Sequence, residues 1–511
     1  MKILTAAQMR EVDRLTIEAG IPGLVLMENA AHRVVEVLAR KYAPLGRQRV
    51  VVICGKGNNG GDGLAIARQL HVRFRPASLD VVLAGPAGEF RGDAAANYAM
   101  LRACGCVAVE DIAASMRRAT LLIDAVLGTG LTGPARGRAA ELIHEINTGF
   151  REARVVAVDL ASGLQSDSGE VSGEAVSAEC TVTFTAPKLC HVLSPAREHA
   201  GELHVGQIGS RAELYENDAS IFLSLSDPAR FRHLFQPRIA ESNKGLYGHA
   251  LIVAGGRGKT GAAAMAGIAA LRAGAGLVTV ASAASAIMSI ASYAPELMTE
   301  PLEETVDGQI RELSPAALRR KNVVALGPGM GTHDATVQLI RRLADELTTP
   351  VIVDADGLNA LAGAAMRAQG QRVFTPHPGE MARLTGKTID EVQADRIPIA
   401  RAYAQQHGVY LVLKGNRTVI AFPDGSVWIN PTGSPALATG GTGDVLTGLL
   451  AGLIAQFSNE LEPAVLAGVY LHGRAGELGA RDLGEKALIA TDLFRYLPEA
   501  MREVSALPDP L

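Results

Sequence analysis

Only one tryptophan occurs in 511 residues, and aromatic side chains make up 4% of the chain. That scarcity, beside 55 glycines, suits many strand-to-helix turns better than an all-β fold. Cysteine is sparse as well: five residues, Cys54, Cys104, Cys106, Cys180 and Cys190, odd in number and scattered. Cys104 and Cys106 lack zinc-ligand spacing and have no second cluster to complete a site. Free, buried thiols in a reducing cytoplasm are the expectation, and cytoplasmic localisation with it. Charge of one sign is missing too. Lys and Arg number 49 against 53 Asp and Glu, for a net −4, and no basic stripe stands out, which argues against nucleic acid as the main partner. No apolar run approaches the ~20 residues of a membrane span. The first 16 residues set Lys2, Arg10, Glu11, Asp13 and Arg14 among apolar ones, the pattern of an amphipathic helix rather than a signal peptide.

What is present is alternation. A single core rarely grows past ~250–300 residues, so two domains are expected. Short apolar runs at 49–54, 79–84, 120–124, 154–159 and 180–184 read as buried parallel strands, with helical stretches such as 61–71 and 94–103 between them. The stretch 212–242 breaks the rhythm; it is polar and holds Pro228 and Pro237. We read it as a linker between domains at 1–211 and 243–505. A second series of strands follows at 249–254, 276–281, 322–326, 350–354, 371–375, 410–414 and 418–422. The last two form a hairpin turning at Gly415-Asn416, and 444–478 reads as a long helical region. The fold class is α/β, with a doubly wound sheet in the first half and a separate α/β domain in the second.

Three strand ends of the first half carry polar, glycine-flanked residues. Gly55-Lys56-Gly57-Asn58-Asn59-Gly60-Gly61-Asp62-Gly63 follows the first strand. Asp124 precedes Ala-Val-Leu-Gly-Thr-Gly, and Asp159 precedes Leu-Ala-Ser-Gly. Ligands of open parallel sheets bind at such carboxyl ends. The loop formally satisfies G-x-G-x-x-G, but the acid expected at the end of the second strand of a dinucleotide dehydrogenase is missing: Asp80 lies at that strand's start. A helix N-cap is the plain alternative for any one of the aspartates.

These residues resemble the YjeF N-terminal domain, the NAD(P)HX epimerase, whose fold is Rossmann-like. The match runs from about residue 1 to 209. The resemblance implies a potassium ion held by Asn59, Asp124 and Ser162. It implies substrate contacts from Asn58, Asn59, Gly60, Gly61 and Asp62, and from the loop Gly128, Thr129, Gly130, Leu131, Thr132, Gly133 and Pro134. Asp159 becomes a ligand contact or proton-transfer residue. One departure is visible: the family usually has Asp-x-Pro-Ser-Gly, and here Ala161 takes the proline's place.

In the second half, Gly255-Gly256-Arg257-Gly258-Lys259-Thr260 falls short of a Walker P-loop, because Val253 stands where the pattern requires its first glycine. Strand ends again carry motifs: Gly327-Pro328-Gly329-Met330-Gly331, Asp354-Ala355-Asp356-Gly357-Leu358-Asn359, and Thr375-Pro376-His377-Pro378-Gly379-Glu380. Lys414-Gly415-Asn416-Arg417-Thr418 places cations around a glycine, which suits nucleotide phosphates; a surface hairpin is the alternative. Most informative is Ala438-Thr439-Gly440-Gly441-Thr442-Gly443-Asp444-Val445. Backbone N–H groups freed by glycines, a following helix N-terminus and one carboxylate make a place for a phosphate with a base beside it.

This set, from about 243 to 497, resembles the YjeF C-terminal domain, the ADP- or ATP-dependent NAD(P)HX dehydratase, with a ribokinase-like fold. Here Ser434-Pro435-Ala436-Leu437-Ala438 departs from the family's Asn-Pro-Gly-Met-Ala. The resemblance implies that Lys414, Gly415, Asn416, Arg417, Thr418 and Gly443 bind the adenine nucleotide with Mg2+. Ala262, Gly331, His377 and Asp444 would contact hydrated NADH or NADPH. Asp444 would take the proton of the C6 hydroxyl as it is phosphorylated, and phosphate would then leave. The first half would interconvert the R and S forms. Two rivals remain: a small-molecule kinase releasing a stable phosphorylated product, and an N-terminal half that binds without catalysing. Symmetric homo-oligomers are common in this class.

Overall fold

The structure, a computed structural model, describes residues 1–507. The chain divides into two compact units, Met1–Leu223 and Ser224–Leu511. Residues 212–242 are shared between them and carry a short helix, Glu213–Glu216, and a strand, Leu223–Leu225.

The first unit is built on seven strands: β1 (Arg49–Cys54), β2 (Ser78–Leu83), β3 (Ala108–Val109), β4 (Leu121–Ala125), β5 (Arg154–Val158), β6 (Cys180–Phe184) and β7 (Glu202–Gly206). Their order is β3-β2-β1-β4-β5-β6-β7, all parallel. A Val/Ile-rich run such as Arg49–Cys54 is buried on both faces because helices cover both. Val50, Val52 and Leu64 belong to one apolar cluster, and Val51, Ile53 and Leu142 to another. Each such side chain contributes ~1.5–3 kcal/mol by leaving water. The order reverses between β1 and β4, and that switch point opens a crevice at the strands' carboxyl ends. The expected strands are present within a residue or two; β3 and β7 were missed.

In the second unit, β8 (Leu223–Leu225) is an edge strand of a ten-stranded sheet. The others are β9 (His249–Val253), β10 (Leu277–Ala283), β11 (Met298–Leu302), β12 (Val323–Leu326), β13 (Val351–Val353), β14 (Arg372–Phe374), β15 (Tyr410–Leu413), β16 (Val419–Ala421) and β17 (Val427–Ile429). The order is β11-β10-β9-β12-β13-β14-β15-β16-β17-β8. Pairing is parallel from β11 to β15, and β15-β16 is the expected antiparallel hairpin.

Three expectations need correction. The region 444–478 is two helices, Thr442–Gln456 and Leu461–Leu483. The first glycine loop is shorter than read, because a helix, Asn58–Arg73, already starts at Asn58. Gly60 is there for contact: a Cβ on it would stand 1.7 Å from the Gly55 carbonyl oxygen. The cysteines are all free, but Cys104 is exposed and Cys106 half-buried. Among the described residues no helix is long and apolar enough to cross a membrane.

Candidate functional site

In the first unit the ends of β1, β4 and β5 converge. Asp124 is fully buried. Its Oδ1 accepts from Ser162 Oγ at 2.6 Å and its Oδ2 from the Ser162 N–H at 2.8 Å. Ser162 Oγ in turn accepts from the Leu127 N–H at 2.8 Å. Asn59 Nδ2 donates to the Leu127 carbonyl at 2.9 Å. Its Oδ1, also buried, has no hydrogen-bond partner among the described residues. Asn59 is thus joined through Leu127 to Ser162 and Asp124, and a buried amide oxygen left over is a donor a hard cation can take.

Beside it opens a cavity of about 890 Å3 lined by Asn58, Asn59, Asp62, the loop from Gly128 to Thr132, and Asp159. Gly60 and Gly61 pack inward, and neither they nor Gly133 and Pro134 line this cavity. Asp159 has a left-handed backbone, φ 64°, a conformation costly for any residue with a Cβ. The side chain is anchored: Oδ1 accepts from Lys188 Nζ at 2.7 Å and from Thr183 Oγ1 at 2.9 Å. Lys188, 1% exposed, also donates to Thr183 Oγ1 and to the Phe184 carbonyl. Burial works against ionisation of Asp159, but Lys188 and Thr183 more than offset it and leave its carboxyl below the ordinary value. Asp62 is the reverse case. Burial, then the nearby charges of Asp159 and Asp13, push its carboxyl well above the ordinary range.

In the second unit the glycine run opens a helix, as its spacing suggests. Gly441 is the N-cap at φ 96°, and Asp444 lies in the first turn of Thr442–Gln456. That helix lies close on Thr260–Arg272, because Gly448 leaves room where a Cβ would meet the Ala266 carbonyl oxygen at 2.0 Å. A Cβ on Gly443 would stand 3.5 Å from Lys414 Nζ and 3.9 Å from Asp354 Oδ2. The loop therefore faces the ends of β13 and β15. Lys414 Nζ donates to Asp354 Oδ1 at 2.9 Å and lies 3.8 Å from Glu380 Oε2. Thr447 Oγ1 donates to Asp354 Oδ2 at 2.7 Å. Burial opposes the charge on Lys414, yet Asp354 and Glu380 raise its pKa. Asp444 has no such partner among the described residues. Burial and the Asp354 carboxylate push it up to about 6, with Lys414 pulling the other way.

His377 caps the helix Pro378–Thr385. Its Nδ1 accepts from the N–H groups of Gly379 and Glu380, at 3.0 and 3.3 Å. Acceptance at Nδ1 puts the neutral ring's proton on Nε2, on a side chain that is half exposed. Burial and the positive charge of Lys414 hold its pKa below the ordinary value. The Gly331 N–H donates to Asp356 Oδ2 at 2.8 Å, and Lys259 Nζ lies 3.1 Å from the same oxygen. Ala262 lies in the first turn of Thr260–Arg272. The Lys414–Thr418 turn is braced from outside: Arg396 donates to the Leu413, Lys414 and Asn416 carbonyls, and Arg417, at φ 53°, to that of Pro431.

Several contributors escaped the sequence reading. Lys188 and Asp13 were not singled out for the first site, nor Thr447 and Arg396 for the second; Asp354 and Glu380 stood in its strand-end motifs but were given no role. A usable signal existed for Lys188, which follows β6 by four residues and so obeys the strand-end rule applied to Asp124 and Asp159. Backbone strain was invisible beforehand. Among the described residues, six non-glycines have positive φ, and Asp159, Ala355 and Arg417 are three of them.

Comparison with known proteins finds relatives for both halves of the chain. A family model described as NAD(P)H-hydrate dehydratase matches residues 250–499, and one described as YjeF-related protein N-terminus matches residues 23–190. The bifunctional NAD(P)H-hydrate repair enzyme Nnr of Moorella thermoacetica is 43% identical over 525 residues, covering 99% of this chain and 97% of that protein. Its counterpart in Thermofilum pendens is 37% identical, covering 98% and 96%. The Escherichia coli protein of the same name is 35% identical, covering 88% and 84%. Among solved structures, the ADP/ATP-dependent NAD(P)H-hydrate dehydratase from Bacillus subtilis, co-crystallised with ATP and Mg2+, is 35% identical. It covers 55% of this chain and 98% of that one, at a TM-score of 0.49. With relatives of this identity matched along nearly its whole length, the chain belongs to the bifunctional NAD(P)H-hydrate repair enzymes.

Proposed function

We propose that Asp444 is the base of the dehydratase and that Asp159 serves the epimerase. The dehydratase transfers a phosphoryl group from ADP or ATP to the C6 hydroxyl of the S form of hydrated NADH or NADPH. Hydroxide leaves poorly from carbon; phosphate leaves well, and its departure restores the ring double bond. One observation carries the reading: Asp444 stands in the first turn of a helix whose glycine N-terminus faces Lys414, and its carboxyl is poised at about 6. A general base works best with a pKa near the working pH. The same helix end and Lys414 offer N–H groups and positive charge to the transferring phosphoryl group. Lys414, Gly415, Asn416, Arg417, Thr418 and Gly443 hold the nucleotide, and Ala262, Gly331 and His377 the nicotinamide substrate. Magnesium would come with the nucleotide's phosphates, and Asp354 and Asp356 would offer it hard oxygen donors.

In the first unit, Asn59, Asp124 and Ser162 would hold potassium; the unpartnered Asn59 Oδ1 supports that fit. Asp159 holds or moves a proton on the substrate as the R and S forms interconvert. Five free thiols are consistent with a cytoplasmic protein.

The test supplies the full-length protein with mixed epimers of hydrated NADH, adding ADP and ATP in separate reactions. Complete recovery of NADH absorbance with stoichiometric inorganic phosphate is the expected result. A stable phosphorylated product without new NADH would establish a kinase instead. Recovery that stops at one epimer would mean that the first unit binds without catalysing.

A further inference from the structure

The N-terminal helix, Ala6–Glu18, lies outside the span matched by the YjeF family model, which starts at residue 23. Its amphipathic pattern had no functional reading. In the structure it is tied to the epimerase cavity. Thr5 caps it through a capping box with Gln8. The Leu4 N–H donates to the Pro187 carbonyl at 3.0 Å, next to Lys188, and the Ala6 N–H donates to Asp167 Oδ1 at 2.7 Å. Met9 and Val12 pack with Leu4, Ala186 and Tyr215. Met9, Asp13 and Ile17 recur at four-residue steps, hence on one face, and all three line the cavity that holds Asp62, Asp159 and Lys188.

Asp13 is odd in that setting. Its Oδ1 is buried with no hydrogen-bond partner among the described residues. Lys188 is near enough to act on its charge but donates its own hydrogen bonds to Asp159, Thr183 and Phe184. Burial pushes the Asp13 carboxyl up to about 6, with the Asp159 charge adding and Lys188 opposing. A carboxyl oxygen buried without a partner destabilises the fold. Its orphaned oxygen at a cavity wall has a use if the ligand completes it.

We propose that Asp13 is a catalytic residue of the epimerase, carrying the proton to and from the C6 oxygen of the hydrated nicotinamide, with the Lys188-paired Asp159 as its counterpart. This rests on the epimerase reading of the first unit. In the step proposed, the C6 hydroxyl takes the Asp13 proton and leaves as water. The C6–O bond breaks, and the N1 lone pair forms a C6=N1 double bond. Water then adds to the opposite face. Its oxygen bonds to C6, the π electrons return to N1, and its surplus proton passes to the Asp159 carboxylate. Exchange with cavity water returns both carboxyls to their starting states. One hydroxyl is lost and one gained, with no oxidant or co-reactant.

The experiment uses full-length Asp13→Asn and Asp13→Glu proteins beside the unaltered one, with the R form of hydrated NADH in water enriched in oxygen-18. For D13N the expected results are an epimerisation kcat lower by ~10²–10⁴-fold, KM little changed, and a melting temperature equal or higher, since an amide replaces a desolvated carboxyl. D13E recovers part of the rate. Dehydration of the S form is unchanged in both. The unaltered protein places one oxygen-18 at C6 per inversion. D13N epimerising at close to the normal rate would overturn the proposal, as would inversion without label. So would a loss accompanied by a lower melting temperature, a raised KM and no recovery in D13E, which would mark Asp13 as structural. An unaltered protein that does not interconvert the epimers defeats the epimerase reading itself, and this proposal with it.

Discussion

Each unit sets a lysine and aspartates at the carboxyl ends of parallel strands, yet Asp159 of the first and Asp444 of the second are shifted in opposite directions. In the first unit Lys188 bonds Asp159 directly, and that carboxyl falls below its ordinary value. In the second, Lys414 is bonded to Asp354, and Asp444 is pushed up to about 6. Desolvation raises a carboxyl, and a bonded cation lowers it. Which aspartate receives the ammonium therefore separates a carboxylate that rests charged, able to accept a proton, from one whose pKa lies near the working pH.

The sharpest way to break this contrast is Asp444→Asn. Nucleotide-dependent recovery of NADH should fall by ~10²–10⁴-fold in kcat, while epimerisation continues. Residual activity near normal would remove Asp444 as base. Next in size is Lys188→Met, which strands Asp159 without its cation. Breaking such a buried pair costs ~3–5 kcal/mol, to be read by denaturant unfolding, and the acid limb of epimerase activity should move to higher pH as unopposed burial raises Asp159. An unmoved limb would mean that Asp159 is not the titrating base.

Asp354→Asn frees Lys414. Loss of a buried charge-assisted hydrogen bond of ~1.5–3 kcal/mol should appear mainly as a raised KM for ADP or ATP, with the KM for the hydrated substrate little altered. The pH contrast comes after that. Asp444 must be ionised to accept a proton, so dehydratase kcat/KM should fall about tenfold per pH unit below about 6. Flat activity down to pH 5 would refute the assignment. The mildest change is Thr447→Val, which removes a single donor to Asp354 and should lower nucleotide affinity less than D354N does.

Much of this was legible in the chain because strand ends are local. The Arg49–Cys54 run had to be a buried strand, and the glycines and acids after such runs had to sit at the sheet's carboxyl edge. Asp124, Asp159, His377 and Lys414 all follow from that rule, and Asp444 from the glycine run that opens a helix. Strands with weak patterns did not: Glu202–Gly206 mixes Glu, His and Gly with two apolar residues, and Met298–Leu302 contains Pro301. Gly60 was expected as a substrate contact and Gly448 was given no role, whereas both let backbone approach backbone.

Residue order and spacing were enough for the α/β alternation, the two glycine-and-acid sites and the family to which they point, because each is written in short stretches whose geometry is nearly automatic. The charge state of each carboxylate was not written there. It depends on contacts between residues far apart in the chain, Lys414 with Asp354, Asp13 within the field of Lys188 and Asp159. Coulombic and desolvation energies vary with distance and burial, and folding alone sets both.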